Sequence, residues 1–230
     1  MSDKTFRLDM TMMFAMHDAL RRELERITRL TERGDDDPRQ ILGTAAGWEM
    51  FKAYLRVHHT SEDEAVWPVM YRALADRPDD VAVLDAMEAE HAAIDPLLNA
   101  IDAALADRES GPRRLGELVD TLRIGLNGHL EHEEHEGLAL IDATLTEQQW
   151  QHFGALHGSR IGPDAPRYLP WLLDGASAER TELILARFPE PLRVAYRDEW
   201  RPAYAELNLW APGVLDRVRV IGSDHDTAEQ

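Results

Sequence analysis

Apolar residues recur at steps of three and four in four stretches of the chain. The first runs Met10, Met13, His17, Leu20, Leu24, Ile27. The second runs Trp48, Phe51, Leu55, His58, Glu62, Ala65, Val69. The third runs Leu84, Met87, His91, Ile94, Leu98, Ile101, Leu105, and the fourth Leu115, Leu118, Leu122, Leu126, His129, Glu133, Leu140. With 3.6 residues per turn, each set lies on one face of one helix. No stretch sustains the period-two alternation of a half-buried strand. The segment from Gly34 to Pro38 closes the first helix, and Pro68 falls near the end of the second. Arg77-Pro-Asp-Asp80 opens the third with an Asp as its cap, and Ser110-Gly-Pro112 separates the third from the fourth. Pro96 should bend the third helix or cost it a hydrogen bond. Gly125, Gly128 and Gly137 imply tight packing or low intrinsic helicity in the fourth. The pattern predicts an all-α fold, an antiparallel up-down four-helix bundle over residues 8–145.

The texture changes near residue 146. Thr146 can cap a short helix over Glu147 to His157, Ser177 another to about Phe188, and Pro191 can begin one through Leu207. Trp150, Trp171, Trp200 and Trp210 supply apolar mass. Residues 146–221 therefore read as a C-terminal helical extension packed on the bundle. Residues 222–230 read as a polar, disordered tail.

Composition narrows the chemistry. The 230 residues carry ten His, no Cys and a formal net charge of −18. Without Cys there is no disulfide framework, thiolate-ligated metal or thiol nucleophile. The acidic balance disfavours nucleic acid and anionic membrane surfaces as partners, and the apolar runs are too short to span a bilayer. The Met-rich stretch from Met10 to Met16 follows Asp3 and Asp9 and leads straight into charged helical sequence. It reads as the start of a core helix in a cytoplasmic protein, not as a leader.

The candidate chemistry lies where ionisable residues interrupt the apolar stripes. Each stripe holds a histidine, at His17, His58, His91 and His129. Two of these have a carboxylate one turn on, His58 with Glu62 and His129 with Glu133. Burying an ionised carboxylate without compensation costs several kcal/mol, and no Arg or Lys shares these stripes nearby. Metal ions would supply the charge and use the imidazole lone pairs. Four imidazoles and two carboxylates are too many donors for one tetrahedral zinc. They suit two iron ions, or manganese, bridged by Glu62 and Glu133. By phase, His59, His132 and His135 fall off the stripes, and His152, His157 and His225 fall outside the bundle, so none of these is expected to ligate.

A His on the first helix, His-x-x-x-Glu on the second, a His on the third and His-x-x-x-Glu on the fourth resembles the hemerythrin-like family, the HHE cation-binding domain. The local sequence is similar in Met16-His-Asp-Ala-Leu20, in His58 through Glu62-Asp-Glu64 to Trp67-Pro68, in Glu90-His91 and in His129 to Glu133-Glu134. The resemblance implies a non-heme di-iron centre, oxo- or hydroxo-bridged, that binds O₂ or reacts with peroxide or NO. The third helix departs from respiratory members, in which two His lie one turn apart; here Asp95 stands at the second position. Asp95 is either a further metal ligand or a hydrogen-bond acceptor behind one. As a ligand its hard oxygen favours ferric iron, and so oxidative or peroxide chemistry over simple O₂ carriage.

The resemblance leaves three functions open. One is a di-iron protein binding or reducing O₂, peroxide or NO, and another is a metal-responsive interaction module. The third is a di-iron oxidase or oxygenase whose small organic substrate sits beside the metals under the C-terminal helices. There Pro170-Trp-Leu-Leu173 resembles a region of some family members, and Arg160 and Arg167 are the first cations to consider for an anionic substrate.

Overall fold

A computed structural model of the chain describes residues 6–32, 38–107 and 109–211. The break expected at Gly34 to Asp37, the tail 222–230 and His225 lie outside the described residues. Four long helices form the bundle: α1 (Thr11–Glu32), α3 (Ala46–Ala65), α5 (Pro78–Ala106) and α6 (Gly111–His132). Between them lie two short helices, α2 (Pro38–Leu42) and α4 (Trp67–Ala73). Cross-contacts run in opposite directions along neighbouring helices. Lys52 meets Asp102, Arg56 meets Asn99, and Asp63 meets His91, so α3 and α5 are antiparallel. No strand is present among the described residues, and no described helix is long and apolar enough to cross a membrane.

The breaks follow local chemistry. Pro68 lies in the first turn of α4, where a missing N–H costs nothing, and the chain bends at Val66 between α3 and α4. Pro78 opens α5 in the same way. The residue before it is Arg77, with no side-chain cap, and the expected Asp cap is instead a pair of acids, Asp79 and Asp80, in the first turn. Pro96 does not end α5; it lies on the exposed side, where the carbonyl it leaves unbonded can meet water. A Cβ added to Gly125 or Gly128 would meet nothing within 4 Å, so close packing is not what these glycines serve.

After Glu133 the fourth helix contains a π-helical turn, Glu133–Gly137, before α7 (Leu138–Thr144). The additional residue brings Leu138 and Ile141 fully into the core beside the buried Leu140 of the periodic pattern. Thr146 closes a reciprocal capping box with Gln149 and starts α8 (Glu147–Ile161). The chain continues through α9 (Ala165–Leu173), α10 (Ala178–Leu185) and α11 (Glu190–Ala195). A second π-turn, Tyr196–Trp200, then leads into α12 (Arg201–Ala205). The helix expected from Pro191 to Leu207 is thus three linked pieces.

Two apolar clusters fill the bundle. One contains Leu20, Leu24, Leu55, Ile94, Leu98 and Leu126, together with Tyr168, Trp171 and Leu172 of α9. The other contains Met13, Trp67, Met87, Leu138 and Ile141. On every bundle helix the stripe histidine lies between these clusters, so the polar residues form a layer across mid-bundle.

Candidate metal centre

Each bundle helix delivers its polar residue to that layer because the residue occupies a core position of an amphipathic helix. His17, His58, His91 and His129 are buried, and Glu62 and Glu133 are fully inaccessible. Two groups of potential donors form. His17, His58 and Glu133 each place one donor atom within 4.8 Å of the others, and so do His59, His91 and His129. Glu62 lies between the groups: one oxygen is 3.5 Å from His58 Nδ1 and the other 3.6 Å from His91 Nε2.

These donors have little to bond to except a cation. Neither oxygen of Glu62 or of Glu133 has a hydrogen-bond partner among the described residues, and the same holds for Nε2 of His17, His58 and His59. Glu133 Oε2 is 3.1 Å from His17 Nε2, close enough for strong attraction, yet the pair lacks hydrogen-bond alignment. His91 Nε2 and His129 Nε2 are 3.1 Å apart. Two donors bound at about 2.1 Å and at right angles on one ion would sit roughly 3 Å apart.

The outer side of three imidazoles is fixed by carboxylates. His17 Nδ1 is 2.9 Å from Glu134, His91 Nδ1 2.8 Å from Asp63, and His129 Nδ1 3.0 Å from Glu90. An Nδ1–H donated outward leaves Nε2 with its lone pair facing the layer, the arrangement of carboxylate–histidine–metal triads. Glu90 also holds His132 Nδ1 at 2.9 Å. Sequence reasoning missed these three carboxylates because they sit beside the stripes, where acids are ordinarily solvated.

Without a cation, Glu62 and His17 hold protons that a metal ion would displace. Burial, with Glu133 and Asp63 nearby, pushes Glu62 well above the usual carboxylate range. Burial works against charge on His17, but Glu133 and then Glu134 outweigh it and raise the imidazole to about 9. Glu133 is correspondingly lowered despite its burial, chiefly by His17. Burial holds His58 and His59 far below the ordinary histidine range, and holds His129 below it, so their lone pairs are free.

Two expectations need correction. Asp95 is not brought to the centre: its side chain is 59 % exposed and pairs with Arg56 at 3.0 Å. The pairing follows from the edge of the α3–α5 seam, where Asp95 faces solvent and Arg56 is the cation across from it. His59, set aside by phase, is buried against His91 and His129. The other set-aside histidines differ among themselves. His132 is partly exposed and His135 is exposed, bonding the Glu131 carbonyl, and His152 is exposed. His157 on α8 faces His58 with ring centroids 6.4 Å apart. Arg160 is committed to Thr60, Ser61 and Glu64 of α3, and Arg167 to Asp164.

The hemerythrin HHE cation-binding domain profile matches residues 9–141, more than half of the chain. The chain belongs to the hemerythrin HHE cation-binding family. No curated protein and no solved structure matches it. The match spans all four helices that carry the buried His/Glu layer, so a cation-binding helical domain is its identity. The orphaned donors fit that cation.

Proposed function

We propose that this HHE-family protein is a non-heme di-iron protein that binds or reduces O₂, peroxide or NO, with manganese as the alternative metal. The observation that carries the reading is Glu62, a fully buried carboxylate with neither a cation nor a hydrogen-bond donor at its oxygens among the described residues. Metal ions are the charge that this site lacks. In the proposal His17, His58, His91, His129, Glu62 and Glu133 would hold the metals, with Glu62 between the two donor groups. Bound iron would supply electrons and an open coordination position for a small oxidant.

The chain's own groups prepare that chemistry. Glu134, Asp63 and Glu90 orient imidazoles through Nδ1 and raise their basicity. The apolar clusters above and below the layer exclude water and strengthen every electrostatic interaction within it. A groove of about 620 Å³ between α3 and α5 has His59 and His91 among its lining residues, and Asp63, Glu88 and Asp95 on its walls. It is the approach route that supports small-molecule access.

The groove's size also favours a second reading, oxidation of a small organic substrate. The place differs from the expected one. A cavity of about 610 Å³ does lie under the C-terminal helices, lined by Arg26, Asp174, Tyr196, Tyr204 and Trp210, but it includes none of the donor residues. An organic substrate beside the metals would therefore occupy the α3–α5 groove.

The test is to load the protein with ferrous iron anaerobically and mix it separately with O₂, hydrogen peroxide and NO. At least one should change the iron spectrum in proportion to protein and faster than the same iron in buffer. Rates equal to free iron with all three would contradict the reading.

A further inference from the structure

We infer that His59 is itself a metal ligand and completes a three-histidine site with His91 and His129. The inference rests on the metal-centre reading above and adds to it a donor outside the HHE spacing. Adjacent residues on a helix point about 100° apart, which is why His58 alone fits the stripe. The same geometry permits another reading. Glu62 is four residues after His58 and three after His59, and both separations bring side chains together on a helix surface. One helix can then present an imidazole on either side of one carboxylate.

α3 does this. The His58 ring meets the His17 ring edge-on at 5.3 Å. The His59 ring turns the other way, stacking on His91 at 3.9 Å with planes 8° apart and meeting His129 edge-on at 5.1 Å. The donor atoms of His59, His91 and His129 cluster within 4.8 Å, a group distinct from His17, His58 and Glu133. His59 is only 6 % exposed, and its Nε2 has no hydrogen-bond partner among the described residues. An imidazole buried merely for packing would leave that polar atom unsatisfied, at the full cost of its lost hydration; ligation satisfies it.

The donor sets then become comparable. One metal would take His17, His58 and Glu133 and the other His59, His91 and His129, with Glu62 between the two donor groups. The nitrogen donor expected from the third helix, where Asp95 stands instead, is supplied from the second. This half of the centre is nitrogen-rich, so the case for ferric preference built on Asp95 lapses.

The test compares iron-loaded full-length protein with its His59→Phe, His59→Gln and Asp95→Asn variants. Phe keeps a ring to stack on His91 but carries no donor. Wild type and Asp95→Asn should both hold two ions per chain. Both His59 variants should release one of the two about tenfold faster or more to a chelator, while the metal-free variants keep wild-type circular dichroism. A His59 variant that holds both ions with wild-type kinetics would overturn the inference. In case both variants misfold, cobalt-loaded wild type is read by proton NMR. Shifted imidazole N–H signals from His17, His58, His59, His91 and His129 support it, and a set without His59 overturns it. A wild type that binds no metal fails earlier and overturns the centre itself.

Discussion

Glu23 and Glu62 are both fully buried carboxylates, and their surroundings are opposite. Glu23 accepts from Arg22, Arg26 and the Trp210 indole at 2.8–3.1 Å, so its charge is answered by protein groups. Glu62 has no such answer among the described residues. Its raised pKa means that the metal-free folded state keeps a proton that the unfolded chain releases near 4.5. Metal-free stability should therefore fall as pH rises above that value. Glu62→Gln should remove this fall and stabilise the metal-free protein at pH 7.5, on the order of 1–3 kcal/mol. The same change should weaken metal binding. Denaturant melts with and without iron check both halves, and a wild-type pH slope retained in the variant counts against it. Behind the imidazoles, Asp63→Asn should lower metal affinity by about 10–100-fold with little loss of fold, read by competition with a coloured chelator.

At this scale the helical period made His17, His58, Glu62, His91, His129 and Glu133 legible, because each replaces an apolar residue at a core position. The period was a poorer guide at the edge of the stripe. His59 and Asp95 depend on which way a side chain turns at the α3–α5 seam, and that is set by packing between helices. Glu134, Asp63 and Glu90 carry no sequence mark that separates them from the other surface acids.

Among the elements, the π-turn at Glu133–Gly137 governs the aim of a central carboxylate. A Cβ on Gly137 would lie 3.0 Å from Glu133 Cγ and 3.7 Å from Met87 Sδ. Gly137→Ala should push Glu133 by a few tenths of an ångström and lower metal affinity more than it lowers metal-free stability. Isothermal titration beside a thermal melt separates the two effects. No hydropathy pattern announces such a turn, since it keeps every residue helical and only advances the register.

Helix α8 has its own pH signature. It covers the His58 side of the layer, pinned by Arg160 to Thr60 and Ser61. Burial, then Arg160, lowers its His157 to about 4. Below pH 6.5 the unfolded chain takes up a proton that the folded chain refuses, so stability is lost between 6.5 and about 4. That loss amounts to roughly 3 kcal/mol at its limit. His157→Gln should flatten this acid limb in metal-free protein; an unchanged limb places the sensitivity elsewhere. The caps at Thr146 and Ser177 were readable in the sequence because capping is local. The division of 190–205 into three pieces was not, because it follows from packing on the bundle.

Over the whole molecule, the extension and the bundle share one apolar cluster. Trp171 is fully buried beside Tyr54, and Arg22 of α1 donates to the carbonyls of Trp171 and Asp174 at 2.6 and 2.7 Å. Gly47 opens the start of α3 to Trp210, whose ring lies 2.5 Å from where a Cβ would be. Truncation after Leu145 should therefore lower the melting temperature by roughly 10 °C or more, measured calorimetrically against the full chain. A truncated bundle that melts with the full chain would make the extension dispensable to the fold. The acidity that set the exclusions divides along the same lines. Most of the −18 is exterior; Glu62 is turned inward with no protein cation beside it, and Glu133 with the His17 imidazole as its partner.

The central claim is that this layer holds two metal ions. Metal analysis of aerobically purified full-length protein, with its electronic spectrum, tests it most directly. Two irons per chain with charge-transfer bands of a bridged ferric pair are expected. A single zinc, or no metal at all with Glu62 still buried, contradicts it.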